Sequence, residues 1–149
     1  MKGYSNILVA VDLSDEAEQV LEEAAALAAR YQAEISVIHV AHALTFYGDF
    51  PYYASPLDSE LYNQEEIRKI LFKELDKLAE PFDITRGSID VRFGYPPDEI
   101  VAKAKHDHAD LIVVGSHGRH GIRLLLGSTA NSVLHHAECN VLAVRIVES

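Results

Sequence analysis

Apolar positions along the chain follow two alternating rhythms. Short continuous runs at 7–11 (ILVAV) and 111–114 (LIVV) read as buried strands, the second rich in β-branched residues and suited to burial on both faces, and 34–40 (EISVIHV) and 140–146 (NVLAVRI) read as two further strands. Residues 88–93 (SIDVRF) alternate instead, as a shorter and more exposed strand. Between these runs apolar residues recur at helical spacing. One set is Ala17, Val20, Leu21, Ala24, Leu27, Ala28 and Tyr31, and a second is Ile67, Ile70, Leu71, Leu75 and Leu78, stopped before Pro81. Ile100, Val101 and Ala104 mark a third helix, and Ala130, Val133, Leu134 and Ala137 a fourth. The helix starts carry their own signals: Ser14 as N-cap with Asp15 and Glu16 in the first turn, Pro97 at the first position of the third helix, and Ser128 and Thr129 opening the fourth. Five strands alternating with four helices predict one domain over 1–149, a three-layer, doubly wound α/β fold on a parallel sheet. In such folds ligands sit beyond the carboxyl ends of the strands, where the strand order reverses.

The stretch 111–129 (LIVVGSHGRHGIRLLLGST) carries the densest chemical signal. A buried strand runs into Gly115, Gly118, Gly121 and Gly127, and a helix begins at Ser128 and Thr129. Glycine lets a backbone come close to a ligand, and the free N–H groups of a helix start attract anions, so the stretch reads as a phosphate cradle.

Charge sharpens that picture. The chain has 13 basic and 23 acidic residues, a net charge of −10, which argues against nucleic acid or an anionic membrane as the main partner. Yet residues 111–137 contain no acid, where the overall composition would place about four. The same window holds His117, Arg119, His120 and Arg123, as a site for a small anion requires. Cys139 is the sole cysteine, expected as a small buried hydrophobe, and excludes an internal disulfide. With no signal-peptide core and no membrane span, the expected location is the cytoplasm.

Known phosphate motifs are missing. There is no G-x-x-x-x-G-K-[ST], and the turn after the first strand reads VDLSDEAE, with neither G-x-G-x-x-G nor a Ser/Thr-rich flavin loop. Asp12 is left for an uncharged or metal-bound part of a ligand, such as ribose hydroxyls, or for capping the helix that follows. His39, at a strand position, reads as a satisfied interior histidine. The other histidines lack the spacing of a zinc site, so no metal centre is expected. Residues 41–57 (AHALTFYGDFPYYASPL) form a long aromatic connection that packs on the sheet edge, covers a pocket or meets a partner.

Taken together, ILVAVDLS, VIHV, the G-x-P turn at Gly94, DLIVVGSHG, LLLGSTA and CNVLAVRI resemble the universal stress proteins along nearly the whole chain. The resemblance implies a Rossmann-like fold of the adenine-nucleotide α-hydrolase type, strand order 3-2-1-4-5, and a homodimer joined through Val141, Leu142, Ala143 and Val144 of the last strand. It implies ATP or another adenine nucleotide, with or without Mg, held by Asp12 at the ribose and the Val40 backbone at the adenine. The amides of Gly115, Gly118, Gly127, Ser128 and Thr129 would meet the phosphates, with His117 and Arg119 beside them. Nucleotide-binding members carry G-x2-G-x9-G-[ST]. Here Gly115, Gly118, Gly127 and Ser128 match, but eight residues rather than nine separate Gly118 from Gly127. Three functions follow: a non-enzymatic regulatory module that binds nucleotide, a nucleotide-free interaction protein, and a slow hydrolase. The acid-free window offers no general base or metal carboxylate, so the binding module is expected, and not an enzyme.

Overall fold

The computed structural model describes residues 3–41, 64–116 and 127–147. The aromatic connection from residue 42 on, and His117, Gly118 and Arg119, lie outside the described residues.

Five parallel strands form one sheet: β1 (Asn6–Ala10), β2 (Glu34–Ala41), β3 (Ile89–Phe93), β4 (Leu111–Gly115) and β5 (Asn140–Val144), in the order β3-β2-β1-β4-β5. The expected order 3-2-1-4-5 and the Rossmann-like class are thereby met. Four helices connect them: α1 (Ala17–Tyr31), α2 (Gln64–Ala79), α3 (Pro96–His106) and α4 (Ser128–His136). From β1 through β3 the chain steps outward on one side of β1; from β3 it returns past β1 to β4 and β5. Right-handed crossovers taken in opposite directions put α1 and α2 on one face and α3 and α4 on the other.

The core divides accordingly. Ile7, Val9, Val37, Val91, Leu111 and Val113 pack with Leu21 and Ala24 of α1 and Leu75 and Ala79 of α2. Leu8, Ala10, Ile38, Val40, Ile112 and Val114 pack with Ile100 and Ala104 of α3 and Ala130 and Val133 of α4. Successive strand residues therefore go to opposite cores, which is why β1 and β4 had to be apolar without alternation. Leu8, Ile112 and Val113 are fully buried, each worth roughly 1.5–3 kcal/mol in transfer from water.

Two helix starts differ from the sequence expectation. α1 begins at Ala17 with Glu16 as its N-cap and no side-chain cap, while Ser14 stands earlier, its carbonyl accepting from Ala17 N–H at 3.1 Å. Ser14 was drawn out of the cap position by Asp12, whose Oδ1 accepts from the Ser14 hydroxyl at 2.6 Å and the Ser14 N–H at 3.2 Å. α3 begins at Pro96, not Pro97, because Pro96 already has the fixed φ and missing donor that a first helical position tolerates. α2 stops at Ala79, and Pro81 falls in a short 3-10 turn, as expected.

Past β5 the chain runs along α1. Gln19 clasps it with two bonds, Nε2 donating to the Val147 carbonyl at 2.7 Å and Oε1 accepting from Val147 N–H at 2.9 Å.

Candidate functional site

The reversal of strand order falls at β1, and the carboxyl end of β1 is also where the sheet is notched. Its last pair with β2 is Ala10↔Ile38 and its last pair with β4 is Val9↔Val113, while β2 runs on to Ala41 and β4 to Gly115. Backbone groups along a strand alternate in direction, so hydrogen bonds at the rim show which residues face the notch. On β2, the Ile38 carbonyl accepts from Val11 N–H at 3.0 Å, and the Ala41 carbonyl accepts from Gly94 N–H at 3.1 Å on the β3 side. Ile38 therefore faces β1, Ala41 faces β3, and Val40 faces the β1 side beyond the end of the ladder. On β4, Ser116 N–H donates to the Val144 carbonyl of β5 at 2.7 Å, so the Gly115 backbone faces β1. Asp12, exposed, follows β1 between them.

Three of the expected residues, Asp12, Val40 and Gly115, thus meet at one rim of the sheet. The helix start is tied to the same place: Gly127 N–H donates to the Ser116 carbonyl at 2.5 Å. That bond occupies the Gly127 amide, so the donors at this helix start are those of Ser128, Thr129 and Ala130, the first two being the expected ones. Gly127 is the N-cap of α4 without a side-chain cap, its carbonyl taking Asn131 N–H at 2.9 Å. The first N–H groups of α4 have no partner within the helix, the state in which they attract an anion.

Ser116 carried no signal in the sequence, yet it is the junction of this rim. Besides its two backbone bonds, its Oγ accepts from Ile146 N–H at 3.2 Å, tying the end of β4 to the segment after β5. Leu13 is a second surprise. At φ +26° it lies outside the ordinary regions, a conformation that costs on the order of 1–3 kcal/mol and is stored between Asp12 and Ser14. His39 is satisfied as expected, its Nδ1 lying 2.8 Å from the Val11 carbonyl. A carbonyl only accepts, so Nδ1 carries the proton.

Away from the rim, β3 and α3 carry a group of charges that engage one another. Arg92 bonds Asp90 at 2.8 Å, and Lys103 lies 2.8 Å from Asp107. Burial alone would raise the Asp107 pKa, but hydrogen bonds from Lys103 and His106 and their positive charge outweigh it and hold the carboxyl below the usual aspartate range. Cys139 is half-buried at the margin of the core beneath α3 and α4; desolvation, then the nearby Asp110 carboxylate, push its thiol up. Among the described residues no cluster of three or more His, Cys, Asp or Glu is placed to hold a metal ion, and no helix is long and apolar enough to cross a membrane.

β5 is the outer strand on its side. Val141 and Leu142 are half-buried and Ala143 is exposed. Since Val144 faces β4, Val141 and Ala143 direct their backbone groups to the open edge.

The family model described as the universal stress protein family matches residues 3–145. The chain is 42% identical over 147 residues to universal stress protein A homolog 2 of Coxiella burnetii, with 98% of each chain covered. Among solved structures it is similar to the universal stress protein UspA from Lactobacillus plantarum, at a TM-score of 0.77 and 31% identity over 97% of this chain and 100% of that one. It is also similar to a universal stress protein solved in complex with cAMP, at a TM-score of 0.64 and 26% identity over 97% of this chain and 98% of that one.

Proposed function

Since the chain belongs to the universal stress protein family, we propose that it is a cytoplasmic, homodimeric regulatory module of the stress response that binds ATP or a related adenine nucleotide and does not turn it over. The carrying observation is the notch above β1, where the backbone of Val40 on one side and of Gly115 on the other is directed past the end of β1. An N–H and a C=O from one residue match the acceptor and donor on the adenine edge. The relative solved with cAMP binds an adenine nucleotide on a similar fold, which supports this class of ligand.

In this reading Asp12 takes ribose hydroxyls with the carboxylate oxygen that Ser14 leaves over. The amides of Gly115, Ser128 and Thr129 take phosphate oxygens, with Gly118, His117 and Arg119 contributed by the segment between. Gly127 contributes close approach, its own N–H being bonded to Ser116. Mg, where bound, would be carried by the phosphates. The second copy of the chain pairs along β5, covering Val141, Leu142, Ala143 and Val144.

The loop one residue short of the family spacing favours one competing reading, a nucleotide-free interaction protein. Denaturing the purified protein and weighing any released small molecule, followed by calorimetric titration with ATP, ADP, AMP and cAMP, separates them. Submillimolar binding without phosphate release supports the module. No binding at millimolar nucleotide refutes it, and multiple turnover lost in His117→Ala with binding intact would make the protein an enzyme.

A further inference from the structure

The β1–β2 ladder ends at Ala10↔Ile38, and a side chain bonds the carbonyl that the next rung would use. In a parallel ladder the rungs on one side recur every second residue. Val11 N–H donates to the Ile38 carbonyl at 3.0 Å, so the next rung would run from Val40 N–H to the Val11 carbonyl. That carbonyl instead takes the His39 Nδ1–H at 2.8 Å, and the last registered pair is Ala10↔Ile38. The ring of a histidine between the two rungs donates where a backbone N–H would otherwise do so.

We propose that His39 is a positioning residue for the base: by holding the Val11 carbonyl it keeps Val40 N–H and C=O out of the ladder and directed at the ligand. The inference rests on the reading of Val40 as the adenine contact, and it adds the reason that contact is available. Without the ring, the Val11 carbonyl becomes the nearest in-register acceptor for Val40 N–H. The sheet then zips closed by one rung and the notch loses its base-reading edge. Selectivity follows as well. Adenine offers an acceptor at N1 and a donor at N6, which match a backbone N–H and C=O, while guanine offers the reverse pair at N1 and O6.

Amide hydrogen exchange of Val40, read by NMR on the full chain without nucleotide, tests the proposal beside ATP and GTP titrations. In the wild type, Val40 N–H is expected to exchange much faster than Ile38 N–H and to slow when ATP is added. His39→Leu is expected to slow Val40 exchange about tenfold or more in the absence of ligand, with ATP affinity down at least about tenfold. His39→Asn, whose Nδ2 reaches the place of Nδ1, is expected to keep both wild-type values and the preference for ATP over GTP. A merely structural histidine would lower the melting temperature without moving Val40 exchange, and that result overturns the proposal. If ATP binds and Val40 protection ignores His39→Leu, the nucleotide reading stands and the role of His39 falls. If Val40 responds but the wild type takes up no ATP at millimolar concentration, the nucleotide reading falls and the positioning role falls with it.

Discussion

Replacing Gly127 by valine separates the close approach of a ligand from the demands of the fold. Gly127 has φ −63° and ψ 157°, a conformation open to any L-residue, so a Cβ meets no backbone penalty there. Both of its backbone bonds, to the Ser116 carbonyl at 2.5 Å and from Asn131 N–H at 2.9 Å, use groups that valine also has. Restricting the unfolded chain contributes about 0.4–1 kcal/mol of stability. Losing glycine at an N-cap costs roughly 0.5–1 kcal/mol, so the two effects offset and the net change is expected within about 1 kcal/mol. Binding has no such compensation. A branched side chain at the start of α4 stands where an anion would approach the Ser128 and Thr129 amides, and ATP affinity is expected to fall at least about tenfold, about 1.4 kcal/mol. Calorimetric titration gives the affinity and urea denaturation the stability. An ATP affinity within twofold of wild type, with stability unchanged, would refute close approach and leave the glycine only as a turn from strand to helix.

The strand edge gives a paired test. Ala143 directs its N–H outward and Leu142 directs its N–H to β4, so Ala143→Pro is expected to yield a folded monomer by light scattering, whereas Leu142→Pro removes an internal rung and unfolds β5 as well. A dimeric Ala143→Pro would move the interface away from β5. For Asp107, the depressed carboxyl pKa means that its stabilisation is fully present above the unfolded value and is lost as pH falls through the folded one. The stability gap between wild type and Asp107→Asn in urea is therefore expected to shrink as pH falls below roughly pH 4. A gap that does not change with pH would show that Lys103 and His106 do not hold the carboxylate.

Legibility in the sequence followed the range of the interactions involved. Strands such as β1 and β4, buried on both faces, announce themselves by unbroken apolar runs, and amphipathic spacing located α1 and α2, so the elements and the doubly wound class were open to reading, while the strand order 3-2-1-4-5 came with the family resemblance. Cap choice was less so: Ser14 and Pro97 satisfied the local rules, but Asp12 captured Ser14 and Pro96 was equally fit to start α3. The rim was legible only in part. Gly115 and Gly127 stood out by composition, whereas Ser116 matters through bonds to Val144, Gly127 and Ile146 that exist only once four elements are assembled. The bond from His39 to Val11 likewise spans 28 positions and depends on strand register, which no local pattern encodes.

The bond between Gly127 and Ser116 has a consequence for how this protein varies. Because it joins the two ends of residues 117–126 at the rim, those ten positions form a cassette whose entrance and exit are fixed by the sheet. Adding one residue to such a closed segment changes its closure entropy by only on the order of 0.1 kcal/mol. The family spacing, one residue longer, is therefore separated from this chain by almost no folding free energy. Insertions and deletions between these two fixed ends leave β4, α4 and both cores in register, so under the proposed function the domain can trade one anionic ligand for another, or for none, without renegotiating its fold.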